Sequence, residues 1–228
     1  MEQLPLTIFL LYALYEGLIH AFEADHVLAV TNIVSHRNNL LPAIKDGIFW
    51  GLGHTSTIFL VGIIMIVYKV NIPPETFSYF EAAVGFILII VASYRFIIFL
   101  RYEQTKINFH KHKHEHSGEN IHLHTHIPLK GKNLHKASYG IGIVHGLAGS
   151  GTLVVLIMTQ IESVANSILY LVIFGLGSIA GMTCIAGIFS VPFSKKLIGS
   201  KVLQTVLVLV SSGLCFIYGC YVIYHNLK

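Results

Sequence analysis

Long apolar runs alternate with short polar breaks along this chain. Six runs reach the roughly 20 residues needed to cross a hydrocarbon core. They cover 4–34, 43–67, 78–99, 138–160, 163–192 and 202–224, and each predicts a transmembrane helix. The first is the odd one. It has no Lys or Arg, yet holds Glu16, His20, Glu23, Asp25 and His26. Glu16, Glu81 and Glu162 are expected near span ends, at the membrane interface.

Composition supports the membrane reading. Of 228 residues, 54% are hydrophobic and 11% charged, and the mean hydropathy is +0.69. A soluble domain carries about 25% charged residues, so an ordinary soluble or disordered chain is excluded. A net charge of +4 without a basic stripe excludes a nucleic-acid partner. The start, Met1-Glu2-Gln3, lacks the basic region of a signal peptide, so no cleavage is expected. Cys184, Cys215 and Cys220 all fall in apolar runs and are expected as small apolar fillers.

Basic residues set the orientation. With the N-terminus outside, the inner segments and inner span ends hold Arg37, Lys45, Arg101, Lys106, Lys111, Lys113, Lys130, Lys132, Lys136, Lys195, Lys196 and Lys201. The outer side holds Lys69 and Lys228. Arg95, near the inner end of the third span, is expected to snorkel. The chain is therefore expected to be N-out and C-out in the cytoplasmic membrane, with the lipid bilayer as a partner.

The long polar segment from about 101 to 137 carries His110, His112, His114, His116, His122, His124, His126 and His135. Alternating His-x-His cannot build a core and reads as a cytoplasmic metal-binding tract. The plainer reading is a solvated linker.

The two flanks of that loop resemble each other. Gly17-Leu-Ile-His20-Ala matches Gly142-Ile-Val-His145-Gly at an offset of 125 residues. Phe49-Trp-Gly51-Leu-Gly53-His54 matches Ile173-Phe-Gly175-Leu-Gly177-Ser178 at 124. Three spans per half is an odd number, so the halves must be inverted, a common transporter architecture. The expected fold is all-α and polytopic: six transmembrane helices as two inverted three-helix repeats. Residues 1–101 form the first half, 102–137 the His-rich loop, and 138–228 the second half.

Ionisable residues at membrane depth are costly and mark function when they cluster. His20, Asp25 and His26 form His-x4-Asp-His in span one, with Glu23 between them. His54 follows in span two, and His145 takes the equivalent place in the second half. Imidazole with carboxylate suits a borderline divalent metal such as nickel, cobalt, zinc or copper, and without a thiolate or thioether in the cluster a Cu(I) site is not expected. On an ideal helix, His20 lies about 140° from Asp25 and about 120° from His26 in the other sense. The three cannot face one point unless the helix breaks, so a distortion is predicted over 22–25.

These residues resemble a known family. His20-Ala-Phe-Glu-Ala-Asp25-His26 looks like the His-x4-Asp-His signature of the nickel/cobalt permease (NicO) superfamily, and Leu52-Gly-His54-Thr-Ser like its second signature. Val144-His145-Gly-Leu-Ala-Gly-Ser-Gly and Phe174-Gly-Leu-Gly-Ser-Ile-Ala-Gly-Met182 are similar to the urease-accessory nickel-transport branch. The resemblance implies a Ni2+ or Co2+ transporter of the cytoplasmic membrane. His20, Asp25, His26 and His54 carry over as ligands or selectivity residues, and Glu23 as a supporting acid.

Uptake is the favoured direction, since an inside-negative potential draws a divalent cation inward. No prosthetic group is expected, only the transported ion, with a cytoplasmic metal acceptor as a possible partner. An efflux permease is one alternative, because the His-rich loop resembles a feature of efflux members. An intramembrane zinc-dependent hydrolase built on His20, Asp25 and His26 is another. The repeat argues against the enzyme, because inverted halves serve alternating access and give no advantage to hydrolysis.

Overall fold

The computed structural model describes residues 6–35, 37, 39–69, 73–107, 134–161, 163–194 and 200–228, with the side chains of all but 74, 101–107, 134, 149–160 and 201. His36, Glu162 and the loop histidines from His110 to His126 lie outside the described residues.

Among the described residues every run that the hydropathy marks is helical, the first with a break after His20. The helices are α1 (Leu6–His20), α2 (Ala24–Val34), α3 (Leu40–Tyr68), α4 (Pro74–Ile107), α5 (Leu134–Gln160), α6 (Val164–Ser190) and α7 (Lys201–Asn226). No strand occurs among the described residues. Four stretches are long and apolar enough to cross a membrane: Leu40–Tyr68, Glu75–Leu100, Val164–Phe193 and Val202–Asn226. The pair α1 and α2 passes the same test as one bent span, which makes five. The sixth expected span, 138–160, is helical throughout within α5.

Polar side chains set several of the ends. Ser163 and Ser200 cap α6 and α7 by accepting from the backbone N–H of Asn166 and Leu203. Such caps satisfy one of the orphan donors that open a helix. α3 stops at Lys69, whose φ of 54° is left-handed, the turn that commonly ends a helix.

α3 and α6 form the centre and α4 and α7 the periphery: half of each central span is buried, against 22% of each peripheral one. α3 packs on α5 and α6, α1 on α6, and α4 on α7. Ile90 and Ile217, on the peripheral pair, are 63% and 66% exposed, as suits side chains facing lipid. One core cluster surrounds Trp50, Leu88, Met182 and Cys215. A second surrounds Ile58, Met65, Tyr170 and Phe174. Of the three cysteines only Cys215 fills the core; Cys184 and Cys220 are exposed.

Lipid chains are as apolar as leucine, so helices in a membrane associate through close packing more than through burial. Glycine permits that approach here. A Cβ on Gly17 would lie 2.1 Å from the Phe174 carbonyl oxygen and 3.0 Å from the Ser178 nitrogen. One on Gly142 would lie 2.2 Å from the Trp50 carbonyl oxygen and 3.0 Å from the His54 nitrogen. These contacts, α1 on α6 and α5 on α3, bring the site helices together.

The end of the molecule opposite the chain termini is held by polar bonds. Asp46, 1% exposed, accepts from Arg37 Nε at 2.5 Å and Nη2 at 2.8 Å, and pairs with His135 Nδ1 at 2.6 Å. His135 therefore belongs to α5 and not to the loop tract. Arg95 does not snorkel. It is 9% exposed and donates to the Ser35 hydroxyl at 2.6 Å and the Ser35 carbonyl at 3.2 Å. Burying a guanidinium is tolerable only with partners, and Ser35 offers two acceptors.

Candidate metal site

Span one breaks where the sequence requires it. α1 ends at His20, α2 begins at Ala24, and the two axes bend by 56°. Short-range bonds finish α1: Phe22 N donates to Ile19 O at 2.8 Å, and Glu23 N to His20 O at 3.1 Å. Glu23 is then extended, with ψ of 151°, before Val27 N bonds its carbonyl at 3.0 Å to open α2. The break spans 21–23, one to two residues before the predicted 22–25.

The bend gathers the histidines. The His20 and His26 ring centroids are 4.7 Å apart, and His54 from α3 sits 5.1 Å from the first and 5.0 Å from the second. One ring nitrogen from each lies within 4.8 Å of the others. Glu23, Asp25 and His26 form a second such group. His145, from α5, stands beside these with its ring 5.4 Å from His26. All six residues singled out in the membrane thus converge: His20, Glu23, Asp25, His26, His54 and His145.

Hydrogen bonds orient the imidazoles. His26 Nδ1 donates to Asp25 Oδ1 at 2.9 Å, His20 Nδ1 to Glu23 Oε1 at 2.9 Å, and His145 Nδ1 to the Ile141 carbonyl at 3.3 Å. With Nδ1 as donor, Nε2 keeps its lone pair, the tautomer that binds a metal. A carboxylate or carbonyl behind a ligating histidine also fixes the ring and raises its basicity. His20 Nε2 faces His54 Nε2 at 3.1 Å.

Several of these atoms are unsatisfied. His26 Nε2, His54 Nδ1 and His145 Nε2 are buried without a hydrogen-bond partner, as is Trp50 Nε1. An unmet buried polar atom costs about 1–3 kcal/mol. Three imidazole nitrogens left this way in one cluster suit a ligand that takes lone pairs. The C-terminal end of α1 also presents its negative dipole end at His20, which favours a cation.

Aromatic walls enclose the cluster. Trp50 lies 5.5 Å from both His26 and His145, and Phe174 lies 5.5 Å from His20. Neither was singled out as a site residue, although the Trp50 and Phe174 positions align in the internal repeat. Glu16 was misplaced at a span end. It sits one turn before His20 on α1, and with Glu81 it lines a cavity of about 670 Å³ beside the histidines. Its i, i+4 spacing to His20 was the available signal. Asn32 is neither a cap nor a partner of the site. It donates to Leu28 O at 2.9 Å and Ser211 O at 3.2 Å and accepts from Ser212 Oγ at 2.9 Å, tying α2 to α7.

The geometry agrees with what related sequences are. A family model described as high-affinity nickel-transport protein, NicO, matches residues 6–217. The chain belongs to the NicO family. The urease accessory protein UreH of Bacillus sp. (strain TB-90) is 32% identical over 194 residues, covering 85% of this chain and 81% of its own length. No solved structure matches. NicO membership makes the chain a multi-pass membrane transport protein and sets aside the hydrolase alternative. The signature residues of the NicO resemblance are the ones that meet at the broken span.

Proposed function

We propose that this NicO protein carries Ni2+ or Co2+ into the cell across the cytoplasmic membrane. The cluster of His20, Asp25, His26, His54 and His145 binds the ion in transit, and Glu23 supports it through His20. The carrying observation is the gathering of His20, His26 and His54, and of Glu23, Asp25 and His26, at a broken helix, where His26 and His54 each keep a buried ring nitrogen without a partner. Imidazole with carboxylate selects a borderline divalent ion over magnesium or calcium.

In this reading α5 is the sixth span, and 1–101 and 138–228 are inverted halves joined by the loop. Packing supports this. Gly17 meets Phe174 and Ser178, while Gly142 meets Trp50 and His54. Gly53 meets Tyr139 and Ile143, while Gly177 meets Leu14 and Leu18. Each pair maps onto the other at the sequence offsets of 125 and 124. Two-fold related halves allow one to rock on the other around a central ion.

Orientation with both termini outside rests on the basic residues of the inner segments. The cavity beside the histidines reaches His225 in the last turn of α7, on the proposed outer side. The Asp46 cluster closes the inner side. This arrangement suits loading from outside. A potential of 100 mV contributes about 2.3 kcal/mol per charge, or about 4.6 kcal/mol for a dication moving inward. The His110, His112, His114, His116, His122, His124 and His126 tract then receives the ion inside and hands it to a cytoplasmic acceptor.

Asp25→Asn tests the site. The variant keeps the size of the side chain but loses the charge that anchors His26. It is expected to insert in the membrane and to accumulate no labelled nickel above background. Wild-type accumulation by a correctly inserted variant overturns the assignment.

A further inference from the structure

The cavity next to the histidine cluster holds charged groups that the metal site does not use. Its volume is about 670 Å³. It is lined by α1, the break and the start of α2, by α4 and α7, and by Ala148 of α5 and Phe174 of α6. Glu16 contributes from α1, Glu81 from α4, and His225 from α7. None of the three belongs to either family signature. His225 is exposed and stacks on Tyr221, with ring centroids 5.8 Å apart, at the outer end of α7. Glu16 and Glu81 are half-buried, between that end and the cluster. At the far end the cavity reaches His26, which is 1% exposed and whose Nε2 has no hydrogen-bond partner.

We propose that this cavity is a cation vestibule in which Glu16, Glu81 and His225 capture a divalent transition-metal ion from outside and pass it to His20 and His26. The proposal rests on the transport reading above and adds an entry site to it. Three features carry it. Two carboxylates and an imidazole from three separate helices line one space. That space reaches His20 and His26 of the histidine cluster, and His26 is 1% exposed with its Nε2 lacking a hydrogen-bond partner. Among the described residues neither Lys nor Arg lines it. Carboxylates between low-dielectric walls focus their field and raise the local cation concentration. The donors are mixed and spread out, so capture is looser than at the histidine cluster and the ion can move on.

The vestibule sets how much nickel is needed, and the cluster sets whether any crosses. Glu16→Gln, Glu81→Gln and the double variant are compared in intact cells by the rate of labelled nickel uptake against concentration. The double variant is expected to raise KM about tenfold, with maximal rate restored at saturating nickel. The shift should shrink as ionic strength rises, because added salt screens the carboxylates. An unchanged KM in the double variant overturns the vestibule.

A second test does not depend on the acids. Val222, which lines the cavity, is changed to Cys in a background whose three cysteines are replaced by Ser. A membrane-impermeant cationic thiol reagent added outside should block uptake relative to the untreated variant, and nickel should slow the block. Absence of labelling from outside, with labelling in opened vesicles, overturns the sidedness. Asp25→Asn run in parallel separates the two readings. Normal uptake there defeats the transport site itself, whereas normal KM in the acid variants beside an inactive Asp25→Asn defeats only the vestibule.

Discussion

Each imidazole in the cluster needs a lone pair aimed inward and a partner holding its other nitrogen. Asp25, Glu23 and the Ile141 carbonyl are those partners for His26, His20 and His145. They differ in what their loss would do. In the proposed site Asp25 shares one group with His26 and Glu23, so its charge is proposed to act on the ion directly. Glu23 is 57% exposed and acts on His20. Removing such a supporting partner typically weakens a metal site by about 10–100-fold. Glu23→Gln is therefore expected to retain transport with the apparent nickel affinity about tenfold lower, read from uptake against concentration. Full inactivation would instead make Glu23 a direct ligand. The six membrane residues of this cluster were legible from sequence because charge and imidazole are rare in apolar runs. Trp50 and Phe174 were not, because an aromatic in an apolar helix looks the same whether it faces lipid, core or a ligand. Arg95 reads as a snorkelling span-end group because its partner Ser35 is distant in sequence, and nothing in the pattern singles out Asp46, whose partners Arg37 and His135 lie on other segments.

Among the elements, the broken span and the glycine contacts matter most. The break was predictable from angle alone: three side chains around an unbroken helix cannot share a centre. Its position was less so, because residues 21–23, Ala-Phe-Glu, hold neither Gly nor Pro to punctuate the helix. Around it, the helices approach closely enough that even one methyl group has no room. A Cβ on Gly53 would lie 2.2 Å from the Tyr139 carbonyl oxygen and 3.1 Å from the Ile143 nitrogen. Gly53 precedes His54, so any relief moves a residue of the candidate site. Gly53→Ala is expected to destabilise the detergent-solubilised protein by about 1–3 kcal/mol, as overpacking does. Its thermal midpoint should fall and its nickel uptake should drop. An unchanged midpoint would mean that α3 and α5 are free to separate. In contrast, the apolar spans themselves were legible from hydropathy, and the helices extend the expected ranges mainly at their ends, as in α4, which runs on to Ile107.

For the whole molecule, the cavity beside the histidines reaches the last turn of α7, and a polar cluster holds the other end. Arg37, Asp46 and His135 tie the α2–α3 connection to the start of α5. An inward release requires that this cluster part. In the proposed orientation the loop before α5 lies on the cell side, and its histidines are proposed to act after translocation. Deleting 108–128 should therefore leave transport intact while changing its concentration dependence; complete inactivation would make the loop part of the pathway. Charge bias and internal similarity let the sequence suggest orientation and the two halves, but neither carries information on direction. The most direct measurement is accumulation of labelled nickel in whole cells with and without expression of the chain. A rise on expression that grows with an inside-negative potential is the result this account predicts. A fall on expression would mean export, and no change would contradict nickel transport by this chain.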